Sequence, residues 1–346
     1  MKRRAFVSRS LGWAAATAGL AVASAGTRAS APSQGHRVLD LDLMDGERRR
    51  PVPVRLYLPQ QASRSQPVPL VVFSHGLGGS RMGYRYLGSH WANEGMASLH
   101  PQHVGSDESV WRGNPLDVLQ RVQAAARDAE AQTRVLDLRF ALDQLLGSEH
   151  AALIDAARIA VAGHSYGANT AMLVSGARVA STGLPMADLR DARVRAAILI
   201  SAPPLVGQGP VEQVLGAVSI PTLHITSVDD TINIPGYRST VDDRIAIFRA
   251  MNGSPRTLAV FNTGGHSIFT DRTTRSGPET SARIKGATRE LCTLFLQQSL
   301  PNGQVQAVAP GAAALPGMHD GDPAMRQWLA RHQDLLDRFI TPPART

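Results

Sequence analysis

Gly163-His164-Ser165-Tyr166-Gly167 is the stretch that most restricts what this chain can fold into. The residues before it, Ile159-Ala160-Val161-Ala162, are short, apolar and partly β-branched, as a buried parallel strand requires. From Ala168 onward small and apolar residues recur at helical spacing. A strand that turns abruptly into a helix strains the residue at the corner and leaves little room for side chains on either side of it. Glycine at 163 and 167 meets that demand, and Ser165 is left at the tip. The helix start behind it favours negative charge there. Ser165 is therefore the candidate nucleophile of an acyl-transfer enzyme. The plainer alternative is a tight turn in which the serine is incidental.

A second informative turn follows the apolar run Val68 to Phe73. It reads Ser74-His75-Gly76-Leu77-Gly78-Gly79-Ser80, and such a glycine-rich turn lets backbone N–H groups face an anion. No Gly-Lys-Ser/Thr follows, which argues against a phosphate loop. The rest of the chain alternates strand and helix. Residues 36–45 and 51–58 alternate apolar and polar around a polar turn and predict an antiparallel hairpin at a sheet edge. Helices are expected over 83–94, 115–146 (one long or two consecutive), 242–251 and 280–298, and strands over 97–101, 194–202, 222–228 and 256–261. That order predicts an α/β fold with a mostly parallel central sheet, helices on both faces and an antiparallel amino-terminal hairpin. In such sheets the chemistry gathers at the carboxyl ends of the strands. His75-Gly76, Ser165, Asp229-Asp230 and His266 each lie just past a predicted strand.

The ends of the chain differ from its middle. Met1-Lys2-Arg3-Arg4 and an apolar run from Leu11 to Ala25, followed by small-residue sites, read as an export signal over residues 1–31. Its paired arginines suggest the twin-arginine route, to the periplasm or the exterior. The run is too short and too rich in Ala and Gly for a stable membrane span. Lys2, Arg3, Arg4 and Arg9 precede residue 26 with no acidic residue beside them, so the formal charge of +8 falls to +4 from residue 26 onward. That mild excess, with no basic stripe interleaved with aromatics, gives no reason to expect a nucleic-acid partner. Cys292 is the single cysteine and is expected to be a buried core thiol. After the catalytic domain over 36–299, residues 300–322 read as a Gly/Ala/Pro-rich linker. The tail 323–346 then carries apolar residues at helical spacing from Met325 to Phe339, as a helix docked on the domain would.

A serine hydroxyl needs a base, a group to orient that base, and donors for the oxyanion. His266 is the best base, because it follows two glycines in a loop after a strand, late in the chain. His75 and His164 flank backbone turns and are expected to hold loops. His100 and His103, three apart, raise a metal site, but no carboxylate–histidine cluster completes it. No metal or cofactor is expected. The acid belongs after the strand over 222–228, where Asp229 and Asp230 both stand; Asp230 is favoured, and Asp229 stays open. The order Ser, Asp, His is that of the α/β-hydrolase architecture.

Pro-Leu-Val-Val-Phe-Ser-His-Gly-Leu-Gly-Gly-Ser, Gly-His-Ser-Tyr-Gly and Gly-Gly-His-Ser-Ile-Phe together resemble the α/β-hydrolase superfamily. The likeness, over about residues 36–299, is to the branch of platelet-activating-factor acetylhydrolases, dienelactone-hydrolase-like proteins and cutinase-like polyester hydrolases. The resemblance implies Ser165 as nucleophile, Asp230 as acid and His266 as base. It also implies the backbone N–H groups of Leu77 and Tyr166 as oxyanion hole. Asp230 begins an Asp-Thr-Ile stretch like that holding the acid in polyester hydrolases. True dienelactone hydrolases carry cysteine where Ser165 stands, and a chain with one cysteine forms no internal disulfide. The expected activity is hydrolysis of small-molecule or lipid carboxylic esters through an acyl-enzyme. The alternatives are a lipase or phospholipid-acetyl hydrolase with a deeper acyl pocket, and a catalytically silent hydrolase fold that only binds.

Overall fold

The computed structural model describes residues 35–125, 128–181, 184–187, 189–234, 237–272, 274–301 and 322–342. The export signal read over 1–31 and nearly all of the linker read over 300–322 lie outside them. The strands are β1 (His36–Asp45), β2 (Arg50–Pro59), β3 (Val68–Ser74), β4 (Ala97–Pro101), β5 (Ile154–His164), β6 (Val179–Ser181), β7 (Leu184–Ala187), β8 (Val194–Ile200), β9 (Thr222–Ser227), β10 (Ile232–Ile234), β11 (Tyr237–Ser239), β12 (Arg256–Phe261) and β13 (Leu336–Ile340). The helices are α1 (Arg85–Asn93), α2 (Pro115–Ala125), α3 (Asp128–Leu146), α4 (Tyr166–Val174), α5 (Val211–Leu215), α6 (Val241–Ala250), α7 (Pro278–Ser299) and α8 (Pro323–His332).

Nine strands form the main sheet in the order β1-β2-β4-β3-β5-β8-β9-β12-β13. Pairing is parallel from β4 through β3, β5, β8 and β9 to β12. It is antiparallel at both ends, where β1 pairs with β2, β2 with β4, and β12 with β13. The inner strands are buried on both faces, which is why they read as continuous apolar runs. Their alternate side chains feed two large cores, and Leu258 and Val260 of β12 form a smaller one with Ile245 and Phe248 of α6. Leu70, Val72, Val161 and Leu199 meet α3, α4 and α5 on one face. Val71, Phe73, Ala162 and Ile198 meet α1, α7 and α8 on the other, where Cys292 is also buried. Among the described residues, no helix is long and apolar enough to cross a membrane.

One end departs from the sequence reading. The helix expected from Pro323 to Ile340 stops at His332, and Leu336–Ile340 instead forms β13 on the open edge of β12. The apolar residues from Leu335 to Ile340 fit either period over so short a run. The unpaired N–H and C=O groups along β12 decide for the strand. Trp328 secures this segment. It is fully buried, its indole donates to the Ala287 carbonyl of α7 at 3.1 Å, and its ring tilts against Phe339 at 5.8 Å. Trp328→Ala is expected to cost about 3–5 kcal/mol, read as a lower denaturant midpoint in equilibrium unfolding.

Candidate active site

β5 runs into α4 through a single residue, Ser165, at φ 55° and ψ −124°. That conformation is costly for a residue with a side chain and is held by its surroundings. The Ser165 N–H bonds the Ile200 carbonyl of β8 at 2.9 Å. The glycines on either side are required by space. A Cβ on Gly167 would lie 1.9 Å from the Ser74 carbonyl oxygen, and one on Gly163 would lie 2.1 Å from that of Gly167. The turn therefore closes against the end of β3 with backbone touching backbone.

Three side chains from three loops meet at that corner. Ser165 Oγ donates to His266 Nε2 at 2.7 Å, and His266 Nδ1–H donates to Asp230 Oδ1 at 2.7 Å. Asp230 is fully buried, whereas Asp229 is exposed and takes only a backbone N–H from Gly264 and a long hydroxyl contact from Thr263. Asp230 also accepts from Thr226 Oγ1 at 2.7 Å and from the Arg244 guanidinium at 3.3 and 3.4 Å. Burial pushes its carboxyl upward, but the bond from His266 and the charges of His266 and Arg244 hold it well below the usual range.

The other histidines organise backbone. His164 Nε2–H donates to the His266 carbonyl at 3.0 Å, so Nδ1 accepts from the Tyr84 hydroxyl at 2.8 Å. That hydroxyl in turn accepts from the Gly76 N–H at 3.4 Å. One buried ring thus ties the loop of His266 to the turn after β3. His75 Nδ1–H donates to the Gly76 carbonyl at 2.8 Å, and its Nε2 accepts from the His103 N–H. His100 and His103 do not converge: His100 bonds Ser98, while His103 lies between Ser74 and Asp137.

Two charged residues that the sequence reading did not single out support this region. Arg134 of α3 is fully buried and donates to Ser106, Thr170, Ser74 and the His75 carbonyl, all of them neutral. Its guanidinium lies 4.6 Å from the centre of the Tyr166 ring. Burial lowers its pKa to about 10. Asp137, one turn on, takes Arg48, Arg50 and His103. Burial raises its pKa, yet the hydrogen bonds from His103 and Arg50 outweigh that and hold it at about 2. The one sequence signal for this pair was charge on the face of a helix whose neighbours Val135 and Leu138 are core.

A cavity of about 340 Å³ opens beside Ser165. Leu77, Tyr166 and Asn169 border it, with Pro203, Leu205, Val206, Ile232 and Ile234 as further wall. The Leu77 N–H makes no hydrogen bond to any described residue. The stretch after β8, from Pro203 to Gln208, supplies part of this wall. Trp111 is not among the lining residues and lies against the Gly78 turn, where its indole donates to the Gly78 carbonyl at 3.1 Å. The β10–β11 hairpin brings Ile232, Ile234 and Tyr237 to the rim, a contribution that three-residue strands do not announce.

The strand order, the crossovers and the strand–Ser165–helix corner decide the fold. The chain has the α/β-hydrolase fold. Residues 46–113 match the family model described as platelet-activating factor acetylhydrolase, isoform II. No curated protein sequence matches the chain significantly. Among solved structures, a ferulic acid esterase from Streptomyces cinnamoneus is similar at 23% identity and a TM-score of 0.55, with 82% of this chain and 96% of that one covered. A putative dienelactone hydrolase from Klebsiella pneumoniae subsp. pneumoniae MGH 78578 is similar at 15% identity and 0.53, with 75% and 98% covered. An acylaminoacyl peptidase from Pyrococcus horikoshii is similar at 16% identity and 0.52, and there 79% of this chain spans 43% of the other.

Two outcomes follow from this α/β-hydrolase site. Gly167→Ala is expected to destabilise the fold by more than about 3 kcal/mol, because the Ser74 carbonyl it would strike is backbone; thermal unfolding measures it. Burial holds His100, His164 and His224 at about 3 and His103 at about 4, against about 6.5 when unfolded. The unfolded chain therefore gains protons that the folded one refuses. Stability is full above about pH 6.5 and falls as pH drops toward 4, by roughly 1.4 kcal/mol per pH unit for each such ring. Denaturant midpoints measured from pH 7.5 to 4.5 are expected to collapse before carboxylates titrate.

Proposed function

We propose that the protein is an exported serine hydrolase that cleaves carboxylic esters through an acyl-enzyme. The observation that carries this reading is the continuous hydrogen-bonded line from Ser165 Oγ through His266 to Asp230, with both links at 2.7 Å. His266 takes the Ser165 proton as the oxygen attacks the ester carbonyl, and Asp230 holds the ring in the tautomer that leaves Nε2 free to accept. The Leu77 and Tyr166 N–H groups receive the tetrahedral oxyanion at the start of α4, where the helix dipole adds to them. His266 then returns the proton to the departing alcohol and next activates the water that releases the acid.

The family match over 46–113 covers the turn bearing Leu77 and supports ester chemistry, as do the esterase and hydrolase names of the similar structures. Export rests on the amino-terminal sequence alone. A phospholipid-acetyl hydrolase is the second reading, favoured by that family match and by the mostly apolar wall of the cavity. Turnover of a 2-acetyl glycerophospholipid in mixed micelles against that of 4-nitrophenyl acetate separates the two, since the second reading requires a lipid alcohol as the leaving half.

Ser165→Ala is expected to lower kcat on 4-nitrophenyl acetate or butyrate by about 10⁶ and to abolish labelling by a fluorophosphonate probe. Wild-type turnover by a folded Ser165→Ala variant removes this reading.

A further inference from the structure

The cavity beside Ser165 is walled mainly by apolar side chains, with Gln132, Gln208, Tyr237 and Asn169 as polar members of its lining. Asn169 lies on α4 four residues after Ser165, so about one helical turn, roughly 5.4 Å of rise, separates them on the same face. It is only 6% exposed, and its Oδ1 is buried with no hydrogen-bond partner. The next residue, Thr170, shows the ordinary arrangement: its hydroxyl donates to the Tyr166 carbonyl and accepts from Arg134. A buried carboxamide left unpaired in an apolar setting is unfavourable. A site that keeps one discriminates in favour of a ligand that brings the missing partner.

The position of His266 says which half of an ester fills this space. The alcohol departs beside the ring that returns its proton. Ser165, Leu77 and Tyr166 border the cavity and His266 is not among its lining residues, so the acyl half points into it.

We propose that Asn169 determines acyl specificity by hydrogen-bonding a hydroxyl carried several bonds from the ester carbonyl. The substrates are then esters of hydroxylated carboxylic acids with an otherwise apolar body. A hydroxyl both donates and accepts, as a carboxamide does, so it fits either orientation of Asn169. The body of such an acid packs on Leu173, Leu205 and Ile232. This inference rests on the ester-hydrolase reading of the same site.

The experiment measures kcat/KM for two matched pairs. One is 4-nitrophenyl 3-(4-hydroxyphenyl)propanoate against 4-nitrophenyl 3-phenylpropanoate. The other is 4-nitrophenyl 6-hydroxyhexanoate against 4-nitrophenyl hexanoate. The wild-type protein is expected to favour the hydroxylated member of at least one pair by about tenfold or more. In Asn169→Leu and Asn169→Ala that ratio is expected to fall to near one. The ratio is independent of the fraction of protein that folds, so a poorly folding variant still reports. Wild-type ratios near one in both pairs, or a preference that survives both substitutions, overturn the inference. Fluorophosphonate labelling and 4-nitrophenyl acetate turnover of the wild type separate the two failures. A labelled, active protein with flat ratios refutes the role of Asn169 alone. A protein that is neither labelled nor active refutes the hydrolase reading and takes this inference with it.

Discussion

The whole site depends on the contact between the Gly167 backbone and the end of β3. With no Cβ at 163 or 167, the turn after β5 packs directly on the Ser74 carbonyl. That packing sets Ser165 at its unusual φ and ψ and sends α4 off at the angle that carries Asn169 and Leu173 along the cavity. The strain at Ser165 persists because strands on both sides of β5 hold the turn. The same approach brings the glycine-rich turn of β3, with Leu77, next to Tyr166. Both candidate oxyanion donors and the candidate nucleophile are thus positioned by one backbone collision that glycine alone avoids.

Electrostatics completes what packing begins. The region behind the site is buried, and burial keeps its histidines His75, His100, His103 and His164 uncharged near neutral pH. His164 works as a neutral ring: one nitrogen donates to the His266 carbonyl, and the other accepts from Tyr84. Protonation of that second nitrogen would remove the acceptor of the Tyr84 hydroxyl, and burial keeps this from happening near neutral pH. Arg134 is the exception. It stays charged among neutral oxygens, beneath the Tyr166 ring and on the carbonyl of His75. Asp230 shares its charge between His266 and Arg244, so the line through His266 ends in a buried ion pair and not in an isolated carboxylate.

Sequence and structure agree where a signal is local. The hairpin of β1 and β2, the inner strands and the corner at Ser165 are legible because burial on two faces, alternation and glycine spacing each mark one stretch of chain. The tail shows the limit of that reasoning. Leu335, Leu336 and Phe339 fit a helix as well as a strand, and the edge of β12, some 80 residues earlier in the chain, decides between them. Trp111 is similar: nothing near it in the chain marks the Gly78 carbonyl, 33 residues away, as the acceptor of its indole.

The sequence by itself determined the order of the inner strands and the long helices between them, the corner at Ser165 and the small set of histidines and aspartates eligible to join it. It did so because those features depend on neighbours in the chain. Only the tertiary structure decided that Asp230 and not Asp229 faces His266, that Arg134 lies beneath Tyr166, and that Asn169 meets an apolar cavity without a partner. Of two adjacent carboxylates on one turn, one is exposed and one buried, and which of them is buried depends on what distant parts of the chain place over it. No local pattern carries that information.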